Sequence, residues 1–181
     1  MAIAIAVGLP LGMLAGLRPQ ALSSRAIMAG SILGFSVPTF WVGLLLIMVF
    51  AVELRLLPTT GRGDTVSVLG VPVSLLTPDG LSHIALPALN LAIYKISLVI
   101  RLMRAGMREA MVSEYVKFAR AKGVRTRRIV FVHVLKNILI PIVTIVGLEL
   151  GSVIAFAVVT ETIFAWPGMG KLLIESIKVL D

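Results

Sequence analysis

The sequence predicts an all-α, polytopic membrane bundle of about four spans, and three observations carry that expectation. Its 181 residues are 58% hydrophobic and 14% charged, with a mean hydropathy of +1.02. A water-soluble core of this size has no use for such an apolar excess. The apolar residues also gather into four long runs: residues 1–17 and 26–52 carry no charge, 83–100 are broken only by Lys95, and 137–160 only by Glu149. Finally, the remaining charges alternate in sign from one connection to the next.

A helix needs about 20 residues to cross the hydrocarbon, with ~17 a working minimum. The second and fourth runs exceed that length, the third meets it, and the first is marginal. Lipid offers no partner to an open backbone amide or carbonyl, so the runs are expected to be helices rather than strands. Pro10, Pro38, Pro87 and Pro141 then read as kinks or first-turn residues. Residues 1–17 lack a basic start and a small-x-small cleavage site, and so read as a retained span rather than a signal peptide. Gly8, Gly12 and Gly16, Gly30 and Gly34, and Gly147 and Gly151 are spaced four apart. That spacing places them on one helix face, where they allow close helix packing.

Orientation follows from the connections. The first holds Arg18 and Arg25 (+2), residues 53–82 sum to −1, residues 101–136 to +8, and the tail from Glu161 to Asp181 to −1. Basic residues collect on the cytoplasmic side. The first and third connections are therefore expected inside, with the amino terminus, residues 53–82 and the tail outside. Within 53–82, the alternation TVSV–LG–VPVS suggests a small hairpin, weakened by Pro72. The abrupt ends, Met1 on an apolar run and Asp181 in a polar segment, lead to the expectation of a longer native frame.

Composition also excludes several classes. The sequence has no cysteine and only His83 and His133, so no disulfide framework or multi-histidine metal site is expected, and no cofactor. A phosphate-binding GxxxxGK[ST] loop is absent: before Gly170 and Lys171 the first glycine position is Ala165, and Leu172 follows. No catalytic residues are assigned. The formal charge of +8 lacks the aromatic platform or soluble module of a nucleic-acid binder.

The third connection is the most informative part. From Arg104 it reads RAGMREAMVSEYVKFARAKGVRTRRIVFVHVLKNILIP. Met107, Met111, Tyr115 and Phe118 fall at i, i+4, i+8 and i+11, the apolar stripe of an amphipathic helix. Gly123, with Lys122 before it, ends that helix in the manner of a C-terminal glycine. A second helical stretch starts near Thr126 and runs into the fourth span. The basic residues serve as topology determinants and lipid-headgroup contacts. A helix–glycine–helix with a patterned stripe goes beyond what topology needs, and suggests a docking element for a cytoplasmic partner.

Two segments resemble a known family. EYVKFARAKG at 114–123, followed by HVLKN and ILIP ending at Pro141, is similar to the cytoplasmic loop of ABC importer permeases, and most to the dipeptide/oligopeptide/nickel branch. ETIFAWPGMG at 161–170, Phe40-Trp41, and Leu57-Pro58 resemble further signatures of that branch. Counting back from Gly123, the Glu-Ala-Ala positions of the general motif hold Lys117, Phe118 and Ala119, and the stretch to Pro141 is longer. Both departures look like the peptide branch.

The resemblance implies a type I ABC importer permease in the bacterial inner membrane. Its single transmembrane domain would cover 1–181, with a periplasmic loop at 53–82 and a cytoplasmic coupling loop at 104–137. It further implies that Glu114, Tyr115, Lys117, Phe118, Ala119, Arg120, Ala121, Lys122 and Gly123 seat against a separate ATPase. The expected partners are cytoplasmic ATPase subunits, a second permease subunit, an extracytoplasmic solute-binding protein and the lipid bilayer. Members of the family usually have one more span at each end.

Glu149 lies near the middle of its run, where a carboxylate cannot reach the interface. Two readings stand side by side: a residue on the solute path, or a glutamate bonded to neighbouring helices or kept neutral. Lys95 is close enough to Arg101 for its head to be expected at the interface. Outside the importer reading, a secondary transporter using Glu149 as a proton or cation site and a scaffold docking a cytosolic enzyme remain open.

Overall fold

The computed structural model describes residues 1–179. The carboxy-terminal acid of the expected outer tail, Asp181, lies outside the described residues. Helices dominate: α1 (Ala2–Leu17), α2 (Leu22–Ser36), α3 (Thr39–Leu46), α4 (Pro78–Met111), α5 (Glu114–Ala121), α6 (Thr126–Arg128), α7 (Leu135–Ile163) and α8 (Met169–Val179). Wider π-helical turns extend α3 over Ile47–Glu53 and join α6 to α7 over Ile129–Val134. Two three-residue strands, β1 (Val66–Val68) and β2 (Val71–Val73), are the sheet content of the described residues.

All four apolar runs are helical. By length and composition Pro78–Met111 and Thr126–Ile163 can each cross a membrane, and the pair Leu22–Ser36 with Thr39–Glu53 makes a third if taken as one bent span. Ala2–Leu17 is a shorter apolar helix. The second run is broken at Pro38, where the sequence led to the expectation of a kink or a first-turn residue. Pro38 explains the break. It disfavours helical geometry at Val37 and stands as the N-cap of α3. Pro10, Pro87 and Pro141 lie inside their helices.

The chain divides into two compact units. The first comprises Met1–Ser36 and Ile93–Gly151. In it the glycine face of α1 lies directly on α4. A Cβ at Gly8 would fall 2.7 Å from Val99 Cβ, at Gly12 2.6 Å from Met103 Cβ, and at Gly16 2.5 Å from Met107 Cβ. Real Cβ atoms do not approach so closely, so only glycine permits this spacing. Gly34 of α2 meets Ser97 of α4 in the same way, at 2.6 Å. Gly30, Gly147 and Gly151 have no described neighbour within 4 Å of a Cβ, so their spacing does not serve packing among the described residues. Ser24 Oγ, at the start of α2, donates to Ala15 O at 2.9 Å and satisfies a carbonyl in the last turn of α1. Beneath α4, Met103, Met107, Val116, Ile129, Val134 and Ile138 form a continuous buried core.

The second unit comprises Val37–Ala92 and Ser152–Asp181. Its expected hairpin is present. Val66 pairs with Val73 and Val68 with Val71, and Leu69 and Gly70 both take positive φ, 52° and 83°. That is the two-residue turn whose twist suits a hairpin. Thr77 caps α4 by accepting the Gly80 N–H at 3.0 Å, with Pro78 at the first helical position. Asn90 Nδ2 donates to Thr160 Oγ1 at 3.2 Å, tying α4 to α7 in a buried setting. The Glu161 carboxylate accepts the Lys171 N–H at 3.0 Å and so caps α8. It lies so near Gly168 that a Cβ there would be 2.2 Å from Glu161 Cδ.

Gly12→Ala should lower the thermal unfolding midpoint in detergent. Overpacking costs about 1–3 kcal/mol, more than the ~1 kcal/mol that alanine gains over glycine in a helix. Gly147→Ala, with open space around it, should leave the midpoint unchanged or raise it. Equal effects at the two positions would contradict the close approach of α1 to α4.

Candidate functional site

The connection between α4 and α7 is largely helical. Residues 107–123 do not form the single helix that the apolar stripe suggested. Instead α4 ends at Met111, and α5 begins at Glu114 with Ser113 as its extended N-cap residue, ψ 156°. Ser113 O accepts from Val116 N at 3.2 Å and Lys117 N at 3.1 Å. The break resets the helical phase. Met107 is fully buried and belongs to the core, whereas Tyr115 and Phe118 are 39% and 63% exposed. Val116, which the stripe did not include, is the residue that anchors α5, since it is wholly buried and belongs to the same core cluster as Met107, Ala110 and Ile129. The sequence held a signal for this in Val-Ser-Glu, an N-cap serine with an acid in the first turn.

Gly123 ends α5 as expected. Its φ is +74°, and two hydrogen bonds close the turn: Gly123 N to Arg120 O at 2.9 Å and Val124 N to Ala119 O at 3.1 Å. These are the two bonds of the glycine-terminated Schellman motif. The second stretch starts at Thr126 and continues without a break to Ile163.

Among the remaining loop residues, Glu114 pairs with Lys117 at 2.8 Å, both exposed. Lys122 Nζ lies 4.5 Å from the centre of the Phe118 ring. Arg120, Ala121, Lys122 and Gly123 are exposed, and Ala119 packs partly against the core. The helix thus offers solvent an aromatic pair edged by cations. At its base a cavity of about 410 Å³ is lined by Gly106, Glu109, Ser113, Tyr115, Asn137 and Pro141, among others.

Glu149 lies elsewhere, on α7. The structure brings it against Lys95 of α4: Lys95 Nζ donates to Glu149 Oε2. Lys95 turns inward instead of extending to the surface, since only 4% of its side chain is exposed, against 29% for Glu149. Its ammonium also lies 5.1 Å from the Tyr94 ring centre. That ring stacks on Phe35 of α2 at 4.9 Å, and the Arg101 guanidinium lies 3.9 Å from the Phe35 ring. Pairing with an acid explains why the ammonium turns inward rather than snorkelling. Fifty-four residues separate the partners, so no local pattern could have matched them. Among the described residues there is no cluster of His, Cys, Asp or Glu able to hold a metal ion.

Comparison with known proteins agrees with the family resemblance read from the sequence. The family described as binding-protein-dependent transport system inner membrane component matches residues 8–181. The chain is similar to the di/tripeptide transport system permease protein of Pseudomonas aeruginosa (strain UCBPP-PA14), 40% identical over 96% of this chain and 55% of the relative. It is 34% identical to the dipeptide transport system permease protein of Escherichia coli (strain K12), over 100% of this chain and 58% of the relative. It is 38% identical to the oligopeptide transport system permease protein of Bacillus subtilis (strain 168), over 96% and 53%. The chain therefore spans about half the length of the curated relatives it matches. With an all-α membrane fold and a match over nearly its whole length, this chain belongs to the binding-protein-dependent transport system inner membrane component family.

Proposed function

We propose that this chain is the membrane-spanning permease subunit of an ATP-driven importer for peptides or similar small solutes, and that α5 is its coupling helix to a separate ATPase. The observation that carries the reading is α5 itself. It is a short helix held from below by Val116 and stopped by a left-handed glycine, with Phe118 and Tyr115 exposed. Exposed aromatic rings beside cations have the composition of a protein contact rather than of a solvated surface. The relatives' peptide-transport names support peptides as the solute class.

In this reading the chain is multi-pass. The connection carrying α5 lies in the cytoplasm and the hairpin of residues 66–73 lies outside, following the +8 and −1 charges of the two connections. Two permease subunits form the path and a solute-binding protein delivers solute. Glu149 borders the path: the exposed portion of an intramembrane carboxylate is costly against hydrocarbon and is better placed at an aqueous cavity. The family match supports this over a secondary transporter using Glu149 as a proton or cation site.

Topology supplies one test. A reporter fused near Arg125 should be cytoplasmic and one near Asp64 external; the reverse pattern would overturn the assignment. The coupling helix supplies another. A Cβ at Gly123 meets nothing within 4 Å, so Gly123→Val acts through its backbone alone, at about 1–2 kcal/mol for the left-handed conformation. It should reduce solute uptake and ATPase co-purification at matched membrane expression. Arg108→Glu should have a milder effect, because an exposed charge pair is worth at most about 1 kcal/mol. Normal uptake by Gly123→Val would contradict the coupling role.

A further inference from the structure

A buried ion pair between spans can brace the helices without regard to which charge sits where. The Lys95–Glu149 pair is instead strongly polarised. Its cationic end is sealed, with 4% of the Lys95 side chain exposed, while 29% of the Glu149 side chain remains open. The seal is built from behind: Lys95 is flanked by Tyr94 of its own helix, which is stacked on Phe35 of α2. The pair is neutral as a whole, yet the end it presents is a carboxylate. Such an oriented pair attracts cations and repels anions at short range, most of all in a site of low dielectric.

We propose that Glu149 is a specificity-determining residue favouring solutes that carry an ammonium group, and that Lys95 is its positioning residue. The inference rests on the importer reading and on the placement of Glu149 at the solute path. An ammonium passing α7 donates a charge-assisted hydrogen bond to the carboxylate, while Lys95 fixes the orientation of that carboxylate and keeps it from collapsing into the bundle. A solute with an additional carboxylate meets the same charge at the same place and is disfavoured. The shared chemistry is the ammonium, whether of a chain terminus or of a side chain.

The test uses the intact importer, with the full-length chain, its partner subunits and its binding protein, in energised membrane vesicles. Maximal ATP-dependent uptake is measured at saturating lysyl-alanine and at saturating glutamyl-alanine, and the ratio of the two rates is taken. The ratio is compared between the native chain and the charge-swapped Lys95→Glu/Glu149→Lys variant. The binding protein and the ATPase contribute equally to both chains, so their own preferences cancel. The swapped chain should reach the native membrane level and melting temperature while the ratio falls about tenfold, the size of one charge-assisted hydrogen bond. If the swapped chain does not accumulate, Lys95→Met/Glu149→Gln, a pair of similar shape without charge, should lose the preference in the same assay. An unchanged ratio in either assembled variant overturns the proposal and leaves the pair as a brace. A native chain that takes up neither dipeptide with ATP would sink the importer reading itself, and this one with it.

Discussion

The close approach of α1 to α4 is the contact on which the first unit depends. Between helices in lipid there is no hydrophobic force to gather them, because the tails are as apolar as leucine; shape decides instead. Gly8, Gly12 and Gly16 remove three side chains from one face of α1 and let Val99, Met103 and Met107 lie against its backbone. With that side of α4 fixed, Met103 and Met107 also join the core that Val116, Ile129, Val134 and Ile138 complete. The placement of α5 and the entry of the following long helix both follow from this core. A helix only eight residues long has little stability of its own. Its position is borrowed from the core that Val116 joins.

Several polar side chains within the spans find partners inside the protein, because lipid offers none, while Asn90 Oδ1 has no hydrogen-bond partner among the described residues. Asn90 meets Thr160, and Ser97 donates back to Ile93 O at 2.9 Å within its own helix. Lys95 meets Glu149. These bonds join α4 to α7 in each unit separately, by a neutral pair in one and an ion pair in the other. Removing one partner of a buried ion pair typically costs 3–5 kcal/mol, because the remaining charge is stranded. The ion pair is therefore the position where a single neutral substitution should be felt most within the spans.

Much of this was legible in the sequence, for reasons that differ by element. The apolar runs announce helices because only lipid rewards such composition, and residues 65–74 announce a hairpin through strict alternation around Leu69-Gly70. Gly123 was readable because a helix end needs a left-handed residue and glycine takes that conformation without strain. The break at Val112 and Ser113 was masked, since Met111, Tyr115 and Phe118 keep helical spacing straight across it and outweighed the helix-start signal of Ser113 and Glu114. Periodicity reports a common face only if the helix is continuous, and here a cap interrupts it. Four-residue glycine spacing was informative for α1 and silent for Gly147 and Gly151, because spacing specifies a smooth face and not whether a neighbour lies on it. The partnership of Lys95 with Glu149 depends on tertiary packing and leaves no local mark.

In the proposed function α5 presents its aromatic face to a cytoplasmic ATPase. This sequence contains no cysteine, so a single one introduced as Phe118→Cys can be cross-linked specifically, with Leu69→Cys at the hairpin tip as the control. In membranes containing the assembled importer, position 118 should cross-link to the ATPase subunit and react with thiol reagents only from the cytoplasmic side, while position 69 should do neither. Failure of position 118 to reach the ATPase, together with its labelling from outside, would contradict the account.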